Sequence, residues 1–259
     1  DVAMGVALDE PPVGYRLQNP QDAKPVMAAL LNGAGATLSG ESLGEIKLPE
    51  GDDVEISVTE TPLDGNETRL VYHPQRFALG LGCARNADPE AMWQHIEKTL
   101  ADNQIARGAI ACVATIDLKA DEPAIIQAAA RLSVPLRLFA ADELEQMTDR
   151  LANPSDVVFA EVGCHGVSEG AALAVAGETA ELVVPKVKTA EATCAIARAP
   201  DPIIDFVGRS RGRLAIVGIG PGQASWRTPE VSQLVAQSEE LVGYGLYIDL
   251  LGPLAAGKE

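Results

Sequence analysis

The feature that most constrains this chain is an uninterrupted apolar run, Ala109-Ile110-Ala111-Cys112-Val113-Ala114-Thr115-Ile116, set between two helical patterns. A run of this kind, without polar alternation, predicts a strand buried on both faces of a sheet. Its surroundings repeat the unit. Phe77 to Leu81 reads as a preceding strand, and Asp88 caps a helix opening at Pro89, with Met92, Ile96 and Leu100 on one face. After the run, Asp121 is the expected cap of a helix with Ile125, Ala129 and Leu132 as its inner stripe. Leu136 to Phe139 is a third strand, an acidic helix starts at Ala141, and Val157 to Val162 reads as a fourth strand. Ser168 to Ala176 is a small-residue helix that can pack closely, and Leu182 to Val184 pairs antiparallel with Thr193 to Ala197. Such alternation predicts a three-layer α/β domain with a mainly parallel sheet over residues 77–200.

The flanks read differently. In the segment before residue 77, Asn19 is placed to cap a helix at Pro20, with Val26, Ala29, Leu30 and Ala34 at helical spacing. Val54, Ile56 and Val58 alternate with polar neighbours as a half-buried strand, and Leu70 to Tyr72 makes another. After Pro200 and Pro202, Arg209, Arg211 and Arg213 punctuate a linker. Leu214 to Val217 then reads as a strand running into Gly218, Gly220 and Gly222. Thr228 caps a helix at Pro229, with Val231, Leu234, Val235 and Val242 on its inner side. The glycine loop does not suit a dinucleotide: Pro221 removes a backbone donor, and the capped helix does not start at the glycine turn. A single strand-helix unit cannot bury a core, so this last piece is expected to be a fragment.

A net charge of −17 argues against duplex nucleic acid and anionic membranes as partners, since both require a basic face. No apolar run is long enough to span a bilayer, and no signal peptide is visible. The chain starts at Asp1, which suggests a processed or cut start. Cys83, Cys112, Cys164 and Cys194 are far apart and form no CxxC pair. Cys164-His165 finds no second cluster to complete a tetrahedral set, so no metal is expected. In this acidic chain, three of seven lysines follow apolar strands: Lys119 in Thr115–Glu122, and Lys186 and Lys188 in Val184–Thr189. Ligands bind beyond the carboxyl ends of strands in α/β sheets, which makes these two loops the expected site for an anionic ligand.

Two resemblances sharpen this. Gly80-Leu81-Gly82-Cys83, I-D-L-K-A-D-E, the run from Glu161 to Leu173 and V-P-K-V-K through Arg198 resemble, in order, the carboxy-terminal domain of the cobalt-precorrin-5A hydrolase family. Residues 1–76 are similar to part of that family's central domain through N-P-x-D-x-K-P. Gly212 to Gly222, Thr228-Pro229-Glu230 and Leu241 to Leu251 closely resemble the start of the tetrapyrrole methylases, above all precorrin-3B C(17)-methyltransferase. The implied organisation is a partial central domain (1–76), a hydrolase carboxy-terminal domain (77–208) and a truncated methylase start (209–259).

The hydrolase resemblance implies opening of a ring-A δ-lactone with loss of the extruded carbon as acetaldehyde. That chemistry needs a polarised carbonyl, an activated water and clamps for peripheral carboxylates. Lys119, Lys186 and Lys188 are the expected clamps. Glu122, Glu161 or Glu169 is the expected general base, although Glu122 and Glu169 also suit a helix's first turn. Cys83 is expected at the substrate. As a nucleophile it has no histidine placed to activate it. The family pattern reads G-C-R, whereas Ala84 here separates Cys83 from Arg85, so Arg85 is not carried over as a site residue. The methylase resemblance implies that Gly218, Gly220 and Gly222 line a tetrapyrrole trough. S-adenosylmethionine would be the cofactor of a complete methylase domain and none is expected in this stretch. The implied partner is a small precorrin or cobalt-precorrin in the cytoplasm, with any homo-oligomer formed through a complete methylase domain. The alternative is a non-catalytic domain that binds a corrinoid intermediate and hands it on.

Overall fold

The computed structural model describes residues 8–43, 48–212 and 214–258. Contacts divide the chain into two units, the first running to Arg211 and the second starting at Gly212. Arg213 lies outside the described residues.

The first unit holds two sheets. One comprises β1 (Tyr15–Leu17), β2 (Ala36–Gly40), β3 (Val54–Val58) and β4 (Arg69–Pro74), in the order β1-β4-β3-β2, with α1 (Ala23–Leu31) beside it. Strands β2, β3 and β4 are parallel, and β1 is antiparallel to β4. Val54, Ile56 and Val58 are buried with Val26, Leu30 and Tyr72, as their alternation predicts. Asn19 stands where expected, at the N-cap position of a short 3-10 turn, Pro20–Asp22, but its side chain makes no cap bond. It accepts from the Val71 N–H at 3.0 Å and donates to the Arg69 carbonyl at 2.9 Å. A buried amide beside a strand finds both its donor and its acceptor there, which a helix end would not supply.

The larger sheet comprises β5 (Phe77–Cys83), β6 (Ile110–Ile116), β7 (Leu136–Phe139), β8 (Glu181–Lys188), β9 (Ala192–Arg198) and β10 (Arg209–Ser210), in the order β10-β7-β6-β5-β9-β8. Central strands β5, β6 and β7 are parallel, while β10 joins β7, β9 joins β5 and β8 joins β9 antiparallel. Helices α2 (Pro89–Asp102) and α3 (Pro123–Leu132) bury one face. Helix α4 (Ala141–Glu145) and, after α5 (Asp156–Val162), helix α6 (Val167–Ala176) cover the other. The domain is therefore α/β and three-layered, as expected, but its sheet is mixed rather than mainly parallel: two parallel pairings at the centre are extended by three antiparallel ones. Every residue of β6 is buried, and its one hydroxyl, on Thr115, donates to the Leu81 carbonyl at 2.7 Å. Helix α6 lies so close to β5 that a Cβ on Gly80 would stand 1.8 Å from the Ser168 carbonyl oxygen.

Five local expectations are corrected. Val157 to Val162 is helix, not strand: the Ser155 hydroxyl accepts from the Val158 N–H, and Gly163 closes the helix at φ +84°. A short apolar run fits either element by pattern, and here the two caps decide. Asp121 does not cap α3; Glu122 holds that position without a side-chain cap bond, because Asp121 is taken by Arg85. Val184–Thr189 is not a loop, since β8 runs through Lys188. In the second unit, α7 (Pro229–Gln237) begins at Thr228, whose hydroxyl accepts from the Val231 N–H, and α8 (Gly245–Asp249) follows. Leu214 to Val217 forms no strand, since no ladder partner lies in its unit among the described residues. Of the expected inner side of α7 only Val235 is buried, and Val242 is 97% exposed.

Candidate functional site

The topology brings the chemistry-bearing loops to the carboxyl end of the parallel strands. Cys83 ends β5, and residues 117–122 follow β6. The β8–β9 hairpin turns at the same end, because Lys188 pairs with Thr193, which pairs with Gly82. Lys119 and Lys188 therefore share one end of the sheet, separated by three strand spacings, roughly 14 Å. Lys188 is exposed, and neither its ammonium nor that of Lys119 makes a hydrogen bond or ion pair among the described residues. Lys186 is committed to the fold: its ammonium donates to the Asn153 carbonyl at 2.8 Å.

Glu122 is the most unusual group at this end. Its side chain is only 1% exposed at the start of α3. One carboxylate oxygen, Oε2, lies 3.7 Å from Arg85 Nη1, and Oε1 has no hydrogen-bond partner among the described residues. A buried carboxylate oxygen without a donor is expensive, and such an atom calls for an explanation by strain, catalysis or an absent ligand. Arg85 anchors the loop by donating to Asp121 at 2.6 Å and to the Leu118 carbonyl. That contact holds the Asp121 carboxyl below its usual range, with Lys119 adding to the effect. Burial pushes the Cys83 thiol up to about 11, and the charge of Glu122 adds to this against the pull of Lys119 and Arg85. Cys83, Arg85, Lys119 and Glu122 thus form one electrostatic neighbourhood.

The other two carboxylates stand elsewhere. Glu169 is buried and accepts from the Lys186 N–H at 2.7 Å, the Asn153 N–H at 3.0 Å and the Asn153 side chain at 2.8 Å. Burial pushes its carboxyl up, but these donors outweigh it and hold the group below its ordinary value. Because the Lys186 N–H turns to Glu169, the β8–β9 register breaks between Val184 and Val187. Glu169 ties α6 to β8. Glu161 is exposed on α5 and is not among the charges acting on Cys83. Near it, His165 Nδ1 lies 2.8 Å from a Glu145 carboxylate oxygen and the ring stacks on Phe159. No cluster of metal-ligating side chains occurs among the described residues.

Three arginines join the site that strand ends alone did not point to. Arg85 reaches it despite the inserted Ala84. Arg209 Nη2 lies 2.9 Å from Asp117, and Arg211 Nε donates to the Ala120 carbonyl at 3.0 Å. The signal in the sequence was the repeat of arginine at every second position, which a strand places on one side. In the second unit, Gly220 and Gly222 have φ of +68° and +107°, so the glycine loop is a turn. Gly218 has open space around its Cα, and no strand leads into it.

The family described as "Cobalamin synthesis G C-terminus" matches residues 77–197, the stretch that carries β5 to β9 of this sheet and the loops between them. The "Protein CobE" of Sinorhizobium sp is 49% identical over 121 residues, 47% of this chain and 79% of that protein. The chain belongs to this cobalamin-synthesis family. A "Cobalt-precorrin-5A hydrolase" of Priestia megaterium is 34% identical over 135 residues, 52% of this chain but only 35% of the hydrolase. A "Cobalamin biosynthesis protein CbiHC" of Archaeoglobus fulgidus is 38% identical over 50 residues, 19% of this chain and 11% of that protein. No helix among the described residues is long and apolar enough to cross a membrane.

Proposed function

We propose that the chain acts in cobalamin biosynthesis on a polycarboxylate tetrapyrrole held at the carboxyl end of β5, β6 and β7, and that the reaction is hydrolytic opening of a δ-lactone on a cobalt-precorrin. The observation that carries this reading is Glu122, a buried carboxylate with one oxygen unpartnered, beside Arg85 and Lys119. A water bound at Oε1 would lose its proton to Glu122 as its oxygen attacks the lactone carbonyl. The acyl C–O bond then breaks, and the lactone's ring oxygen leaves as an alcohol after taking a proton back. That hydroxyl next loses its proton as the C–C bond joining its carbon to the tetrapyrrole breaks. The carbon departs as acetaldehyde, and the tetrapyrrole keeps the electron pair and takes up a proton. Lys119, Lys188 and Arg85 would hold peripheral carboxylates. Cys83, a neutral thiol at neutral pH, would contact substrate without attacking it. Glu161 and Glu169 have no part in this version of the step.

The test is release of acetaldehyde from cobalt-precorrin-5A. Glu122→Gln should lower turnover by about 100-fold, within the usual range for losing a general base, while substrate still binds. Turnover in Glu122→Gln equal to the parent chain would sink the assignment. A second reading, binding and hand-over without hydrolysis, is favoured by the small share of the hydrolase that the chain spans. Under it the chain binds the tetrapyrrole and releases no acetaldehyde.

For residues 209–259 we propose the start of a precorrin-3B C(17)-methyltransferase, with Gly218, Gly220 and Gly222 at the tetrapyrrole. The short similarity to a cobalamin biosynthesis protein supports this, as do the exposed apolar side chains of Leu214, Ile216, Tyr244 and Leu246. S-adenosylmethionine belongs to the complete domain, so the 259-residue chain should give no binding heat with it. A cytoplasmic place for this chemistry agrees with four free cysteines.

A further inference from the structure

Arg209 and Arg211 lie beyond the residues that the family match covers, yet they end on the loop that follows β6. The segment carrying them is fixed with unusual economy. Strand β10 has two residues, and a single side chain, Arg137, grips the backbone around it, donating to the carbonyls of Phe206 and Val207 at 2.9 Å each and to that of Gly208. Arg137 also contacts the Ser210 hydroxyl, on the alternate position of the strand. Alternation then sends Arg209 and Arg211 to one side, over residues 117–120.

Four cations converge there: Arg85, Lys119, Arg209 and Arg211, facing Asp117, Asp121 and Glu122. The local balance is four positive against three negative, a surplus of one in a chain whose net charge is −17. The guanidinium groups are not used up. Each has five N–H donors. Arg209 spends one on Asp117 with its side chain 61% exposed, and Arg211 spends only Nε, leaving the fork that pairs with a carboxylate in two parallel bonds. A staple for β10 alone would not require two arginines, since Arg137 already holds its backbone.

We propose that Arg209 and Arg211 are binding residues that extend the Arg85–Lys119 loop into a clamp for the peripheral carboxylates of a tetrapyrrole. This rests on the reading of that end of the sheet as a tetrapyrrole site. The chain following the family domain would then supply part of the domain's own ligand contacts.

The probe is uroporphyrin, a stable octacarboxylate tetrapyrrole, titrated by fluorescence against the 259-residue chain at low ionic strength. The parent chain should bind. Arg209→Gln with Arg211→Gln should weaken binding at least tenfold with the unfolding midpoint unchanged, Arg209→Lys with Arg211→Lys should recover part of it, and Lys24→Gln, on α1, should have no effect. Unaltered affinity in the double Gln variant overturns the clamp while the site reading stands. Lost affinity together with a lowered midpoint and no recovery by lysine overturns it as well, making the pair a structural staple. No binding by the parent chain removes the site reading and the clamp with it.

Discussion

At Cys83 the thiol is held up at about 11 by burial and by the negative charge of Glu122, with Lys119 and Arg85 opposing. Alkylation by iodoacetamide should therefore be slow at pH 8 and rise toward a midpoint near pH 11. Glu122→Gln removes the neighbouring charge and should move that midpoint down. A midpoint unchanged in the variant would mean that the two groups do not sense each other. Glu55 offers the opposite case. Hydrogen bonds from Ser39, Ser57 and Arg69 bring its carboxyl down from 4.5 to about 2. A folded-state value below the unfolded one stabilises the protein above pH 4.5, and that contribution is lost as pH falls toward 2. Acid titration of stability should be less steep in Glu55→Gln over this window. At this scale the sequence was a partial guide. Glu122 and Lys119 were visible as strand-end residues. Glu169 was equally visible, but not the fact that donors 16 and 17 positions away would saturate it.

Elements with two consistent signals were readable, and those with one were not. Helix α2 had Asp88, Pro89 and an apolar stripe in agreement, and it formed as expected, with Asp88 accepting from Glu90 and Ala91. The run Val157 to Val162 offered only apolarity, which does not separate a short strand from a short helix. Its outcome leaves Val157 and Phe159 exposed, the reverse of what a central strand requires. The first half of β8, Leu182 to Val184, was legible with its antiparallel partner. Its continuation to Lys188 was hidden by Pro185 and two lysines, residues that an edge strand accepts because one side of its ladder is open. The small-residue helix α6 was legible, and its function in packing now has a sharp test at Gly80. Gly80→Ala would place a methyl group 1.8 Å from the Ser168 carbonyl oxygen, so helix and strand must separate. Overpacking of this kind should lower stability by about 3 kcal/mol, measured by urea unfolding. A loss below about 0.5 kcal/mol, the range of neutral surface changes, would show that α6 is free to shift.

At the scale of the whole molecule, the first unit has cores that do not mix across residue 76. One cluster comprises buried residues no later than Tyr72, and the other two begin at Phe77 and Ala78. What joins the two sheets is polar. Glu60 accepts from Arg198 at 2.8 and 2.9 Å and from Arg76 at 3.2 Å, Arg76 is also held by Glu41, and Arg16 donates to the Leu132 carbonyl at 2.7 Å. Hydrophobic burial is the dominant favourable term in folding, so sheets with separate apolar cores can fold separately even when ion pairs link them. The linking pairs still matter, because Glu60 neutralises two guanidinium groups and its removal leaves Arg198 without its carboxylate. Residues 77–211 alone should therefore unfold in one cooperative step, at a denaturant midpoint below that of the full chain. Within the full chain, Glu60→Ala should cost about 2 kcal/mol, less than breaking a fully buried pair because Arg76 keeps Glu41. A molten, protease-sensitive product from residues 77–211 would show that the polar seam, and not the separate cores, makes the larger sheet stable.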